Sequence, residues 1–230
     1  MSRKKIVILT GAGISAESGI KTFRDSDGLW ENYNVMDVAT IDAYERNPEL
    51  VVQFYNERRR QANAAKPNAA HFALKDLEQS HDVHIITQNV DDLHERAGSS
   101  NILHLHGRLN SIRTLHPIKP HYAEIAEDLV HGSKGPDGYD FRPDIVWFGE
   151  DVPNMFRAEQ LVSSADILAV IGTSLQVYPA AGLLYAKPYD AELVVIDKRI
   201  PSVGSFPNMK IIEAPATEGV DAWVKELLSQ

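Results

Sequence analysis

Three groups of residues in this chain are of types that do chemistry, and each follows a short run of aliphatic residues. His104-Leu105-His106-Gly107 places two imidazoles two positions apart, so strand alternation puts both on one side. A neutral imidazole suits a general base near pH 7, and Gly107 lets the backbone turn away and leaves the His106 ring in a cleft. An isolated histidine of this kind also reads as a satisfied polar residue at a sheet edge, and His104 reads as packed or hydrogen-bonded. Gln88-Asn89-Val90-Asp91 follows Val83-His84-Ile85-Ile86-Thr87, and Asn89 and Asp91 suit hydrogen bonds to a carboxamide or a ribose. Taken alone, that stretch reads as an Asx turn leading into a helix. Gly11-Ala12-Gly13-Ile14-Ser15-Ala16-Glu17 follows the apolar run ending at Thr10; its Gly-x-Gly-x-x-Ala spacing lets backbone approach a pyrophosphate at a helix N-terminus.

Two smaller groups also lie at run ends. Gly172-Thr173-Ser174 offers small donors for a phosphate or adenosine, and equally a tight turn into a helix. Asp197 could accept from ribose hydroxyls, while Lys198 and Arg199 beside it also suit a surface turn. The glycine-rich stretch lacks the partner a hydride-transfer unit needs, a second strand ending in an acid about twenty residues on. It runs instead into Thr22-Phe23-Arg24-Asp25 and Gly28-Leu29-Trp30, which reads as a loop covering a dinucleotide.

The elements that must position these groups follow from periodicity. Runs at 5–9, 83–87, 102–105, 144–148, 167–171 and 193–196 suit strands of a parallel sheet buried on both faces. Helical patterns lie at 48–64, 69–79, 155–164 and 219–229, the last expected on the sheet edge. The alternation predicts an α/β fold with a doubly wound, parallel, Rossmann-like sheet. Residues 31–66 carry helices where a second strand would stand, and 107–142 are rich in Pro, Gly, His and charge. Both are insertions expected to form a smaller lobe, leaving 1–30, 67–106 and 143–230 for the larger one. Within the second insertion a helix is expected at 121–130, with Tyr122, Ile125 and Leu129 on one face.

Composition excludes several classes. The 230 residues are 43% hydrophobic and 24% charged, ordinary for a globular chain. A net charge of −9 argues against a nucleic-acid binder. Cysteine is absent, which removes disulfides, thiol catalysis and thiolate-bound zinc. The basic opening precedes an apolar run too short for a signal peptide, and no segment reaches membrane-spanning length, so a cytoplasmic location is expected.

With these motifs in this order, the chain resembles the sirtuin family of NAD-dependent protein deacylases. The resemblance spans Gly11 to Ile20, Thr22-Phe23-Arg24, Gly28-Leu29-Trp30, Thr87 to Asp91, His106-Gly107, Arg142-Pro143-Asp144-Ile145-Val146, Phe148-Gly149-Glu150 and Gly172-Thr173-Ser174-Leu175. It implies that NAD is consumed as a co-substrate. Gly11, Ala12, Gly13, Ile14, Ala16, Glu17, Thr22, Phe23, Arg24 and Trp30 would hold the pyrophosphate and form the loop over NAD. Gln88, Asn89, Val90 and Asp91 would hold the ribose and carboxamide. Gly172, Thr173, Ser174, Asp197, Lys198 and Ala216 would surround the adenosine. Val146, Phe148, Gly149 and Glu150 would line an acyl-lysine tunnel and pair with the peptide as a strand. His106 would be the general base, and the products would be nicotinamide, free lysine and O-acyl-ADP-ribose. The partners implied are acyl-lysine proteins.

Tyr55-Asn56-Glu57-Arg58 adds a point of acyl choice. Tyr55 and Arg58 share a helix face, and sirtuins preferring succinyl-, malonyl- or glutaryl-lysine carry this pair. An arginine grips a carboxylate with a planar fork; outside that resemblance, Arg58-Arg59-Arg60 reads as an exposed basic face. The chain departs from the family in lacking four cysteines that usually bind a structural zinc, so a zinc-free lobe is expected. His116, His121, His131, Asp128, Asp137 and Asp140 match no common zinc spacing. The alternatives are an ADP-ribosyltransferase or NAD hydrolase, and a non-catalytic NAD-binding sensor.

Overall fold

The run Lys5–Thr10 becomes the centre of a parallel sheet, because every residue from Ile6 to Thr10 is buried and the run is rich in residues favouring strands. The computed structural model of the chain describes residues 3–21, 29–30 and 33–229. Its strands are β1 (Lys5–Thr10), β2 (Leu29–Trp30), β3 (Tyr33–Asn34), β4 (Asp82–Thr87), β5 (Ile102–His104), β6 (Gly107–Thr114), β7 (Tyr122–Glu124), β8 (Phe141–Ile145), β9 (Ile167–Ile171), β10 (Glu192–Asp197) and β11 (Met209–Glu213). Its helices are α1 (Val35–Val38), α2 (Ile41–Arg46), α3 (Pro48–Ala64), α4 (Ala69–Leu77), α5 (Leu93–Ala97), α6 (Met155–Val162) and α7 (Ala216–Leu228).

The large sheet has six parallel strands in the order β11-β10-β9-β1-β4-β5. The chain leaves β1 to one side for β4 and β5, then crosses to the other for β9, so the order reverses beside β1. In open α/β sheets a ligand crevice forms at that switch point, beyond the carboxyl ends of the strands. Alternate strand residues feed two apolar layers. Ile6, Ile8, Ile85, Ala169 and Val194 pack under α4 and α7; Val7, Leu9, Ile86, Leu168 and Val195 pack under α6 and the 3-10 segment Ala180–Ala186. Each such side chain contributes about 1.5–3 kcal/mol when fully buried.

A third apolar cluster belongs to the smaller lobe, where Val51, Val52, Phe54 and Tyr55 of α3 meet Leu109, Ile112, Ile145 and Trp147. Asn47 caps α3 by accepting from the Leu50 N–H, and Pro48 occupies its first turn, so the helix starts where its sequence directs. Beside it, β6, β7 and β8 form a three-stranded antiparallel sheet.

Four expectations need correction. The apolar run at 144–148 does not join the parallel sheet; β8 ends at Ile145 and pairs antiparallel with β6. The helix expected at 121–130 is absent. Tyr122–Glu124 is a strand, because Ile112 and Arg113 pair with Ala123 and Tyr122. Beyond it, Asn56 exchanges hydrogen bonds with the Leu129 backbone at 2.9 Å each way, and Arg59 donates to the carbonyls of Leu109 and Glu127. Those side chains of α3 take up the backbone groups a helix would pair, although Leu129 is still buried and Ile125 partly so. The C-terminal helix α7 covers a sheet face beside α4 rather than the edge. Gly219 permits that approach, since a Cβ there would lie 2.6 Å from Ile196 Cγ2. Finally, the glycine-rich stretch opens into two 3-10 turns, Ala12–Ile14 and Ala16–Ser18, rather than an α-helix.

Polar side chains close the loops of the small lobe. The Thr114 hydroxyl donates to Asp137, accepts from the His121 N–H at 2.8 Å, and Asp137 accepts from the Tyr139 N–H at 3.2 Å. His116 Nδ1 accepts from the N–H groups of Ile118 and Lys119, and Lys134 pairs with Asp140 at 2.8 Å. Among the described residues no group of three or more His, Asp or Glu is placed to hold a metal ion. Among them, too, no helix is long and apolar enough to cross a membrane.

Candidate active site

The carboxyl ends of β1, β4 and β9 converge at the switch point, and short polar groups there are bonded to one another. Thr10 and Thr87, aligned across β1 and β4, hydrogen-bond at 2.9 Å. The Asn89 amide donates to the Gly11 carbonyl at 3.1 Å and to Ser15 Oγ at 3.2 Å. Ser15 in turn donates to Asp91 Oδ2 at 3.0 Å, while Asp91 Oδ1 accepts from the Leu93 N–H at 3.1 Å. Gln88 donates to Thr173 Oγ1 at 3.0 Å, joining the end of β4 to the end of β9. Burial pushes the Asp91 carboxyl upward, opposed by the Leu93 N–H, the Ser15 hydroxyl and the charge of His104. Val90 sits between these residues with its carbonyl accepting from the Leu109 N–H at 2.8 Å.

The glycines serve a purpose the spacing alone did not disclose. Gly13 donates its N–H to the Gly172 carbonyl at 2.8 Å, and Gly11 donates to Ile171 at 3.0 Å. A Cβ on Gly11 would lie 2.7 Å from Thr173 Cβ, and one on Gly172, at φ +62°, would lie 2.4 Å from the Ile14 nitrogen. The small residues thus let the first loop press against the end of β9. Ala12 and Ala16 remain half-buried in the same turns, Ile14 is buried beneath them, and Ser174 follows half-buried beyond Thr173.

His106 stands two residues beyond β5. Its Nδ1 lies 3.1 Å from the Gln88 carbonyl, which can only accept, so Nδ1 carries the proton and Nε2 keeps a lone pair in the neutral ring. Burial pushes the imidazole below its ordinary value, with the Gln88 contact partly opposing it. A neutral base with an available Nε2 is what proton abstraction needs. Gly107 is required behind it: at φ +81°, a Cβ would lie 1.9 Å from the Asp144 carbonyl oxygen. The same approach lets Val146 donate to the His106 carbonyl at 3.0 Å.

The chain beyond β8 is braced by charge. Glu150 takes both terminal nitrogens of Arg142, at 2.7 and 2.9 Å, and Arg113 at 3.1 Å, and accepts from the Trp147 N–H at 2.9 Å. The Arg142 guanidinium lies 3.4 Å from the centre of the Trp147 ring. Burial raises the Glu150 carboxyl, but the bond and charge of Arg142, the Trp147 N–H and the Arg113 charge together hold it below its ordinary value. Phe148 and Gly149 are thereby held exposed at the tip. The Phe148 backbone forms a parallel bridge with Thr40, donating to Ala39 at 2.9 Å and accepting from Ile41 at 3.4 Å.

Tyr55 and Arg58 are both buried, so the exposed basic face expected for Arg58-Arg59-Arg60 is confined to Arg60. Arg58 donates to Gln61 at 2.9 Å. Burial pushes the Tyr55 phenol well above its ordinary value, leaving it a neutral donor. Glu17 turns away from the crevice and caps α7, accepting from the Thr217 N–H and hydroxyl at 3.1 and 2.9 Å. Ala216 is buried in the first turn of that helix; Asp197 ends β10 and accepts from the Arg199 N–H at 2.9 Å, with Lys198 exposed. Thr22, Phe23 and Arg24 lie outside the described residues, as does the side chain of Trp30.

The Sir2 family model matches residues 11–179, the span that carries this geometry apart from Thr10, the end of β10 and the helix α7. The chain belongs to the Sir2 family. The NAD-dependent protein deacylase of Bacteroides thetaiotaomicron is 49% identical over 230 residues, covering 98% of each chain. The NAD-dependent protein deacylase of Helicobacter pylori, strain 26695, is 50% identical over 225 residues, again covering 98% of each. The crystal structure of a Sir2 homolog–NAD complex aligns with a TM-score of 0.88 at 37% identity, covering 98% of this chain and 90% of that one. The Rossmann-like sheet and small lobe of this chain are thus those of a sirtuin.

Several participants escaped the sequence reading. Ser15 lies inside the quoted glycine-rich motif, but nothing local marks it as the bridge between Asn89 and Asp91. Thr10 and Thr87 end apolar runs, which was an available signal. The Arg113–Glu150 and Arg142–Glu150 pairs depend on an antiparallel sheet that periodicity did not show.

Proposed function

We infer that this chain is an NAD-dependent protein-lysine deacylase. The observation that carries the reading is His106, half-buried, bonded through Nδ1 to Gln88, and set beside the Asn89–Ser15–Asp91 network at a Rossmann switch point. The residues present fit a dinucleotide. Close-packed glycines at Gly11, Gly13 and Gly172 leave a backbone-lined crevice, and an amide, a hydroxyl and a carboxylate face it from Asn89, Ser15 and Asp91. Ala12, Ile14, Ala16, Thr173 and Ser174 would complete that wall, and Asp197, Lys198 and Ala216 lie toward the adenosine side.

When bound, NAD would supply the ribose carbon that takes the acyl oxygen as nicotinamide departs; with one water, the lysine amine would then be released and the acyl group left on ADP-ribose. Asn89 and Asp91 orient polar groups against each other, while the buried surroundings keep water from the reacting carbon. His106 Nε2 then accepts the proton of a ribose hydroxyl. Val146, Phe148, Gly149 and Glu150 support the acyl-lysine chain, with the Arg142–Glu150 brace fixing the loop. The lobe boundaries proposed are approximately 1–30, 67–106 and 143–230 against 31–66 and 107–142, with β8 running across the last of them.

The finer reading concerns the acyl group. Buried Arg58, with the neutral Tyr55 phenol one turn before it, suits an acyl chain ending in a carboxylate, such as succinyl- or malonyl-lysine, alongside acetyl-lysine. The test is to incubate the protein with NAD and acetyl-, succinyl- and unmodified lysine peptides, with His106→Tyr as control. Acyl removal matched by nicotinamide release supports the reading. Nicotinamide release without an acyl peptide would replace it with an NAD hydrolase, and NAD binding without turnover would replace it with a sensor.

A further inference from the structure

His104 and His106 reach back to consecutive carbonyls of the same loop. His106 Nδ1 meets Gln88 at 3.1 Å, and His104 Nδ1 meets Asn89 at 3.0 Å. The other nitrogen separates the two rings. His104 Nε2 lies 2.7 Å from Glu95 Oε1 of α5.

We propose that His104, held as a doubly protonated ring between Glu95 and Asn89, is a positioning residue that orients the 88–91 segment for binding NAD. A carbonyl and a carboxylate offer only lone pairs, and a neutral imidazole carries one N–H. Either neutral tautomer would therefore satisfy one neighbour and turn a lone pair against the other. The imidazolium donates to both. Burial raises the Glu95 carboxyl, but the His104 hydrogen bond and charge, its own backbone N–H and the Arg108 charge together hold it below its ordinary value.

The contact matters because Asn89 is tethered on every other side. Its N–H donates to Thr87 Oγ1 at 3.0 Å and its amide to Gly11 and Ser15. The carbonyl held by His104 is the remaining backbone anchor, and it fixes the peptide plane leading to Asp91. The His104 charge also opposes the rise that burial imposes on the Asp91 carboxyl. The other groups facing this cluster are His94 on α5, Arg108 on β6, whose charge acts on Glu95, and Asp92 beside Asp91. On the far side, Asn154 donates to the His104 carbonyl at 2.7 Å, fixing the strand end from which the ring projects.

The consequence for turnover rests on the deacylase reading; the charge state of the ring does not. Two variants separate the contributions: His104→Gln removes the charge, and Glu95→Gln keeps the ring but removes its anionic partner. Nitrogen-15 spectra of ring-labelled histidine, assigned by the signals lost in His104→Gln, should show both His104 nitrogens protonated at pH 7. In Glu95→Gln one of them should lose its proton. A singly protonated His104 in the unaltered protein at pH 7 overturns the proposal.

Calorimetric titration with NAD gives the second readout. His104→Gln should bind NAD several-fold more weakly, with the acid limb of binding moved upward as Asp91 gains its proton more readily. Its KM for NAD should rise by a larger factor than kcat falls. Glu95→Gln should also bind NAD more weakly than the unaltered protein between pH 6 and pH 8. Equal NAD affinity in all three proteins across that range also overturns the proposal. Should the unaltered protein bind NAD yet remove no acyl group, the deacylase reading fails while the binding arm still decides the role of His104.

Discussion

Gly13 and Gly172 meet backbone to backbone: the Gly13 N–H donates to the Gly172 carbonyl at 2.8 Å, and a Cβ on Gly13 would lie 2.6 Å from Gly172 Cα. The loops after β1 and β9 are therefore joined into one surface before any ligand arrives. The dinucleotide crevice takes its shape from two glycines in different halves of the sheet.

Gly172→Ala should test that joint. The added methyl meets the Ile14 nitrogen, and φ +62° strains any side chain there. Overpacking of this kind costs about 1–3 kcal/mol. Urea unfolding should show the loss, and NAD affinity should fall with it. Unchanged stability and affinity would mean the loops part freely.

Deacylation should rise with pH as His106 loses its proton. Burial holds its folded value below 6.5, so the acid limb of kcat/KM should centre below that. A limb centred at or above pH 7 would assign it to another group.

His71 makes stability depend on pH. It is fully buried, and desolvation pushes its imidazole down to about 4 from 6.5. The unfolded chain binds that proton first, so stability is full above pH 6.5 and is lost progressively down to about pH 4. The group's share approaches ~3 kcal/mol. His71→Gln should flatten that slope in urea melts recorded at several pH values, leaving the part due to His94, which burial also lowers.

Glu150→Gln should strand the buried Arg142 guanidinium. Breaking one side of such a pair costs about 3 kcal/mol, and the freed Phe148–Gly149 tip should raise KM for the acyl peptide more than for NAD. The double variant Arg142→Met, Glu150→Gln should recover part of the stability. A double-variant loss equal to the sum of the two single losses, with Arg142→Met measured alone, would show that the pair contributes no coupling.

Arg58→Met should reduce desuccinylation far more than deacetylation, measured with matched peptides at saturating NAD. Equal losses on both peptides would remove Arg58 from acyl selection.

Much of this was legible from the chain because the chemistry sits at strand ends. An aliphatic run followed by Gly11, Gln88, Gly107 or Gly172 announces both the strand and the close approach beyond it. Residues 121–130 were misread because their apolar spacing fits a helix, while the deciding interactions come from Arg113 in β6 and from Asn56 and Arg59 in α3. Burial of Arg58 was invisible for the same reason: three consecutive arginines look solvated until a second layer covers two of them. Glu17 stood within the cofactor motif, yet its partner Thr217 lies 200 residues away.

The loops that close the small lobe are held by Thr114, Asp137, Lys134 and Asp140, in a chain without cysteine. Peroxides and mercurials therefore find no thiolate to attack, and sulfur oxidation is limited to four methionines. Ionic strength, rather than oxidation, is the stress to which these closures respond.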